Sequence, residues 1–371
     1  PNEALSTGPP EESVLVLLHS YQRRAKAMYD PVSPSTSAVS LVLALLSLTC
    51  WGSWSNFAKA AVNTPFPLFY ADFCLGTLVT AAVIWVTLGA STLPQDGEES
   101  WGANVGYAFA AGAIFNVANV LLVAAIGMAG LAVAFPVGIG LALVLGTLLT
   151  YLIDSNGNDP IFLFSGVFAA FVAILFQVAA DGMRVRDQAE INTGTKPLAS
   201  ADEELALESV KQPKSRTYVL GVCAVSGLLM ALWAPLSALA EKKLTAYGTS
   251  LIFAMAVMCT APFLCALLSK WPLIGAPCRL EEYFSLPLRQ HTYGWLAGLV
   301  WAVGTIANLV SGDKVGLALS YAIGQAAPMV ATLWGVLYYG EFEGASVRTM
   351  GLVVCCMATY AGAIALVAFS K

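Results

Sequence analysis

Polar side chains set inside long apolar runs are the residues of this sequence that could do chemistry. A polar group in hydrocarbon is costly, so each needs a partner or a task. Asn116 and Asn119 stand three apart and share a helix face. Asn308 follows Trp301 by seven residues, two turns along the same face, and Tyr321 and Gln325 are four apart. Asn56 closes the run Cys50-Trp51-Gly52-Ser53-Trp54-Ser55-Asn56. Such side chains donate and accept hydrogen bonds, which suits a neutral polar solute bearing carbonyls, amides or hydroxyls. Trp51, Trp54, Trp233 and Trp301 also fall within apolar runs, where a flat ring suits a planar heterocycle or the apolar face of a sugar. Helix-to-helix hydrogen bonding and ordinary packing are the alternatives for any one of these residues. Taken together, the spacing predicts a central cavity lined by Trp51, Asn56, Asn116, Asn119, Trp301, Asn308, Tyr321 and Gln325.

Asp72 is the most informative charge. It lies about six residues, or roughly 9 Å, into an apolar run. Lys59 ends the preceding run on the same side. A Lys59–Asp72 ion pair would lower the cost of burying both charges. It could serve as a static lock or as a protonatable gate, so Asp72 and Lys59 are the expected coupling or gating residues. Pro136, Pro235, Pro262 and Pro328 also interrupt apolar runs, where each removes a backbone donor and kinks its helix.

An enzyme would need a clustered acid, base, nucleophile or metal set. The only histidines, His19 and His291, are placed outside the apolar runs, and carboxylates within them are almost absent. The eight cysteines form no C-x-x-C pair and no metal spacing. Neither cofactor nor metal is expected, and the sequence reads as a carrier rather than an enzyme or a receptor. With a net charge of −5, nothing calls for nucleic acid as a partner.

The elements that must hold these residues follow from composition. Of 371 residues, 58% are hydrophobic and 11% charged, and the mean hydropathy is +0.72. A soluble globular chain carries about 25% charged residues. Apolar segments here reach the roughly 20 residues that cross a bilayer. The predicted class is an all-α, multi-pass integral membrane protein of a plasma or internal membrane, monomeric or homodimeric. Ten spans are predicted, near 38–60, 66–89, 103–126, 130–153, 160–180, 217–240, 247–269, 293–311, 315–339 and 346–369. Residues 1–37 read as a polar tail, 38–180 and 217–371 as two five-helix halves, and 181–216 as a hydrophilic linker.

The halves echo one another. Gly316-Leu317-Ala318 repeats Gly130-Leu131-Ala132 at an offset of 186 residues, which sets Tyr321 over Phe135 and Gly324 over Gly138. Trp233, Ser237 and Ala240 repeat Trp51, Ser55 and Ala58 at an offset of 182. A duplicated unit with an odd number of spans inserts upside down relative to its twin, the inverted-repeat plan of many secondary transporters. With the N-terminus outside and the linker cytosolic, eleven of the 18 Lys and Arg are cytosolic, against seven the other way, so positive charge favours that orientation.

Five-plus-five spans with a Trp-Gly motif in the first resemble the drug/metabolite transporter superfamily. Gly298-Leu299-Val300-Trp301-Ala302-Val303-Gly304, Gly316 to Gln325, Trp334 to Glu341 and Tyr70-Ala71-Asp72 are similar to its ureide permease and sugar-uptake branch. The resemblance implies a secondary active transporter moving a ureide or nucleobase-like solute by alternating access with protons as coupling ion. A sugar carrier of the same fold is the alternative within transporters. Some relatives carry a phosphate-loop-like motif in the linker. Thr193-Gly194-Thr195-Lys196 lacks that spacing, so no nucleotide binding is expected.

Overall fold

Capping and proline residues mark where most of the helices begin. The computed structural model describes residues 31–61, 64–89, 101–129, 135–194, 216–273 and 276–371. Helix α1 (Ser37–Ser53) starts where the Thr36 hydroxyl accepts from Val39 N at 3.2 Å, and after Trp54 it resumes as α2 (Ser55–Ala60). Pro65 and Pro67 open α3 (Phe66–Leu88), which α4 (Trp101–Ala129) follows. A π-turn (Phe135–Ile139) runs into α5 (Gly140–Ile153). The Asp159 carboxylate accepts from Ile161 N at 2.8 Å and caps α6 (Pro160–Gly194). Then come α7 (Arg216–Ala240), α8 (Ala246–Lys270), a 3-10 turn (Leu280–Ser285) and α9 (Leu288–Val315). The last are α10 (Leu317–Gly324), α11 (Ala327–Leu337) and α12 (Val347–Ala368).

Among the described residues, nine helical stretches are long and apolar enough to cross a membrane, with α1–α2 and α10–α11 each counted as one, and a shorter apolar stretch covers Val137–Ile153. The fourth predicted span, 130–153, therefore lies partly outside the described residues, as do Gly130-Leu131-Ala132, most of the tail with His19, and residues 195–215 of the predicted linker.

Three boundaries differ from expectation. Helix α6 continues unbroken through 181–194, so the first part of the stretch read as linker is helical. Helix α9 starts five residues earlier than predicted and takes in His291, because Pro287 precedes its first turn. It also runs through Gly312-Asp313-Lys314 and ends only at Gly316, where φ is +89° and a Cβ would lie 2.8 Å from Asn158 Oδ1. The turn thus sits at a residue whose backbone an L side chain would strain.

At one end of the bundle Val32 N donates to Leu88 O, Asn104 Nδ2 to Leu239 O, Asn158 Nδ2 to Val315 O and Asp159 N to Ser370 O. At the other, Thr64 Oγ1 donates to Gln290 Oε1, Gln188 Nε2 to the Glu341 carbonyl and Ser346 N to Asp187 Oδ2. Small residues let the central helices meet backbone to backbone. A Cβ at Gly298 of α9 would lie 2.2 Å from Phe73 O of α3, and one at Gly112 of α4 would lie 2.2 Å from Phe253 O of α8. Gly298 lies 186 residues after Gly112, so the two close approaches occupy equivalent places in the repeat. The packing follows suit: α1 lies on α9 as α7 lies on α4, α3 on α9 as α8 on α4, and α6 packs along α12. The eight cysteines are free thiols.

Candidate functional site

Where α1 breaks before Trp54 and α10 breaks after Gly324, the helices part around a cavity of about 170 Å³. The second break carries Gln325, and the corresponding place in the first half is the π-turn ending at Ile139, 186 residues earlier. Both Ile139 and Gln325 line the cavity. Its walls are aromatic: Trp51, Trp54, Phe115, Trp233 and Trp301. Phe115 stacks on Trp301 with ring centroids 4.5 Å apart, and Trp51 meets Trp233 edge-on at 5.7 Å. Both are pairs of repeat-equivalent positions touching each other. Thr305 Oγ1 accepts from Trp51 Nε1 at 3.1 Å and holds that indole in place.

Polar groups on the wall are few. Asn119 Nδ2 donates to Tyr70 Oη at 3.2 Å, while its carbonyl oxygen accepts from no described residue. Gln325 lines the cavity without a hydrogen bond from its amide to any described residue. Among the described residues, no charged side chain lines this space.

Four of the eight expected cavity residues thus meet here: Trp51, Asn119, Trp301 and Gln325. The other four are placed elsewhere. Asn116 is fully buried, accepting from Tyr70 Oη at 2.6 Å and donating to Val257 O and Thr260 Oγ1, so it ties α4 to α3 and α8. Asn308 Nδ2 donates to Ser320 O at 2.8 Å while Ser320 Oγ donates to Asn308 O, which latches α9 to α10. Tyr321 stands behind the wall: its ring lies against Trp233 and its hydroxyl donates to Ala142 O at 3.1 Å. Asn56 sits half-buried on α2, off the cavity wall.

The expected Lys59–Asp72 ion pair does not form. Lys59 Nζ reaches Glu341 Oε1 at 2.7 Å, after α11, and lies 4.2 Å from the Tyr339 ring centroid. Lys59 is half-exposed in the last turn of α2, whereas Asp72 is buried on α3 against Gly294 of α9. There Asp72 accepts from Tyr283 Oη at 2.6 Å on one oxygen and meets His291 Nδ1 at 2.8 Å on the other. Burial, then the bond to Asp72 and its charge, push the Tyr283 hydroxyl well above the usual phenol range, so Tyr283 stays the donor.

Tyr283 and Phe115 are the neighbours that sequence reasoning left out, and His291 is one that it placed outside the spans. Phe115 was within reach, since it aligns with Trp301 at the repeat offset. Pro287 was the signal that a helix taking in His291 begins there.

Two larger spaces lie at the bundle ends: about 470 Å³ beside Pro65 and Glu282, and about 270 Å³ beside Glu241 and Asp313. Neither has a wall of stacked aromatic rings. At the second, Glu241 Oε1 is sealed without a partner, and burial, then the Asp313 and Asp154 carboxylates, hold Glu241 well above the usual carboxylate range.

Residues 202–370 match the family model described as Ureide permease. The chain is 24% identical to Ureide permease 1 of Arabidopsis thaliana, with 93% of this chain and 99% of that protein covered. Ureide permease 2 of the same plant is also 24% identical over the same shares, and Ureide permease 4 is 25% identical over 88% of this chain and 96% of its own. The likeness extends through both halves and joins a bundle of membrane-length helices to a neutral aromatic cavity. The chain is thus a multi-pass membrane protein that is similar to the ureide permeases along both halves.

Proposed function

We propose that the protein is a secondary active transporter that carries a small neutral ureide or nucleobase-like solute by alternating access, coupled to protons. One observation carries this: repeat-equivalent residues gather on one cavity, Trp51 with Trp233 and Phe115 with Trp301 in ring contact, and Ile139 and Gln325 both on its wall. That arrangement supports ten spans in two halves, 38–180 and 217–371, related by a two-fold axis in the membrane plane with the solute held on it. The helix ends support inversion too, since α1 begins at the bundle end where α7 finishes. Stacked rings around the Gln325 side-chain amide and the open Asn119 carbonyl oxygen suit a flat solute with N–H and C=O edges. An uncharged lining suits a neutral one. The relatives' names supply the ureide.

Asn56, Asn116, Asn308 and Tyr321 then support the cavity from behind its wall. Lys59 serves as the gating residue on the face where α2 ends, closing α2 onto Glu341, while Asp72 is the lock that fastens α3 to α9. A neutral solute carries no charge for the membrane potential to act on, so uphill movement calls for a co-transported ion.

The test is uptake of labelled hydantoin, a ring ureide, into proteoliposomes, with uracil and glucose as competitors. Uptake blocked by uracil and untouched by glucose is expected. Gln325→Ala and Trp51→Ala should weaken it about tenfold or more, the effect of losing a buried polar or aromatic contact. Unaltered uptake in both variants would sink the assignment, and block by glucose alone would favour a sugar carrier.

A further inference from the structure

Away from the aromatic cavity, a second set of polar side chains is buried where α6 packs along α12. Gln177 is 4% exposed, Asp181 8%, and Tyr360 is fully buried. Gln177, Asp181 and Arg184 follow one another at four- and three-residue steps, so they form one stripe of α6. Four atoms of this group have no hydrogen-bond partner: Gln177 Oε1, Asp181 Oδ2, Arg184 Nε and Tyr360 Oη. Asp181 Oδ1 stands 3.7 Å from Arg184 Nε, too far for a hydrogen bond.

A carboxylate with an orphaned oxygen inside a membrane span is costly, and it has two ways out. Charged, it can draw in Arg184, whose Nε–H is also unpartnered. Protonated, it can donate its O–H to Gln177 Oε1. A charged carboxylate cannot make that second bond, because a carboxylate oxygen and Gln177 Oε1 both only accept. Each protonation state satisfies a different orphan, and the observed spacing leaves both unsatisfied.

We infer that Asp181 is where the driving proton binds, with Gln177 holding the protonated form and Arg184 the charged form. This rests on the proton-coupled transport proposed above. The proton comes from water at one face and returns to water at the other. Three orphaned oxygens beside a guanidinium are too few for a metal cation, which takes about six. The other ionisable groups around the site are Glu341, whose charge reaches Asp181, Cys356 close by on α12, and Tyr360 beside Cys356. Asp187, further along α6, is held by Ser346 N and Thr349 Oγ1. Glu341 is also the partner of Lys59. A change of charge at Asp181 is therefore felt at the ion pair joining α2 to the loop after α11, two helices that line the cavity.

The experiment uses the full chain in proteoliposomes with an acidic outer buffer, labelled hydantoin and a pH dye inside. The wild type should accumulate solute and acidify the lumen. Asp181→Asn should cut accumulation at least about tenfold and abolish the acidification, while hydantoin exchange across equal pH continues; Asp181→Glu should restore coupling. Coupled accumulation by Asp181→Asn, or a sodium gradient that replaces the pH gradient, would overturn the inference. So would loss of exchange in a folded Asp181→Asn protein. Should Asp181→Asn misfold, the pH midpoint of uptake decides. Gln177→Leu should move it to lower pH and Arg184→Gln to higher pH, each by about one unit or more. No movement, or movement in the same direction, overturns the assignment. If the wild type takes up no solute, the transporter reading falls and this inference with it; if it takes up solute without regard to pH, only this inference falls.

Discussion

Among the described residues, two carboxylates are buried in the membrane-length helices, and they are built in opposite ways. Asp72 on α3 has both oxygens engaged, one by Tyr283 and one by His291, and its side chain is 1% exposed. Asp181 on α6 has one oxygen orphaned and the other short of Arg184. A fully engaged carboxylate gains nothing by moving, so the Asp72 cluster reads as a fastening between α3, α9 and the 3-10 turn. A half-engaged one changes partners with its charge. The lesson is that depth in the membrane does not mark a working carboxylate; unmet hydrogen-bonding capacity does.

That contrast can be broken by substitution. The largest effect is expected from Asp72→Ala, which strands His291 and Tyr283 in a buried site. It should cost about 3 kcal/mol of stability, whereas Asp181→Ala should cost less than about 1 kcal/mol. Thermal unfolding in detergent micelles measures both, and equal losses would erase the distinction. Tyr283→Phe removes a single arm of the fastening and should cost about 1.5 kcal/mol. Hydrogen exchange should then quicken over 280–285 and remain slow across α3. Lys59→Ala breaks a pair whose lysine is 50% exposed, so stability should shift by less than about 1 kcal/mol. If its melting point falls as far as that of Asp72→Ala, the pair is a fastening and not a gate.

The smallest effect concerns Glu241, a carboxyl at the opposite bundle end. Folding raises its pKa, so the folded state keeps a proton that the unfolded state releases. Stability should then fall as pH rises from the usual carboxylate range towards the folded value, and level off above it. Glu241→Gln should flatten that slope, as melting curves from about pH 5 to pH 8 would reveal. An unchanged slope would mean that Glu241 reaches water.

Much of the helix layout was legible because long apolar runs speak for themselves. Pairings between helices were not, because spacing informs only on neighbours within one helix. Asp72 finds its partner 219 residues away, and Lys59 its partner 282 residues away. Asn116 and Asn119 share a face, yet one turns to α8 and the other to the cavity, a difference set by where Tyr70 enters between them. Asp181 was hidden for a different reason. Arg184 and Arg186 make its surroundings look hydrophilic, so the apolar run seems to end just before it, while α6 in fact carries it inwards. Phe115 was readable all along through its alignment with Trp301.

The break at Gln325 has one more consequence. Its equivalent across the cavity is Ile139, and the equivalent of Asn119 is Thr305, which is already committed to Trp51. The scaffold is thus nearly symmetric, but its polar lining is not: neither Gln325 nor Asn119 has an equivalent that offers a free polar group to the cavity. A solute keyed to Gln325 keeps the same edge against it whichever way the walls rock. Under the alternating access proposed above, the cargo would cross without turning over, and a bulky group tolerated on its Ile139 side would be tolerated for the entire journey.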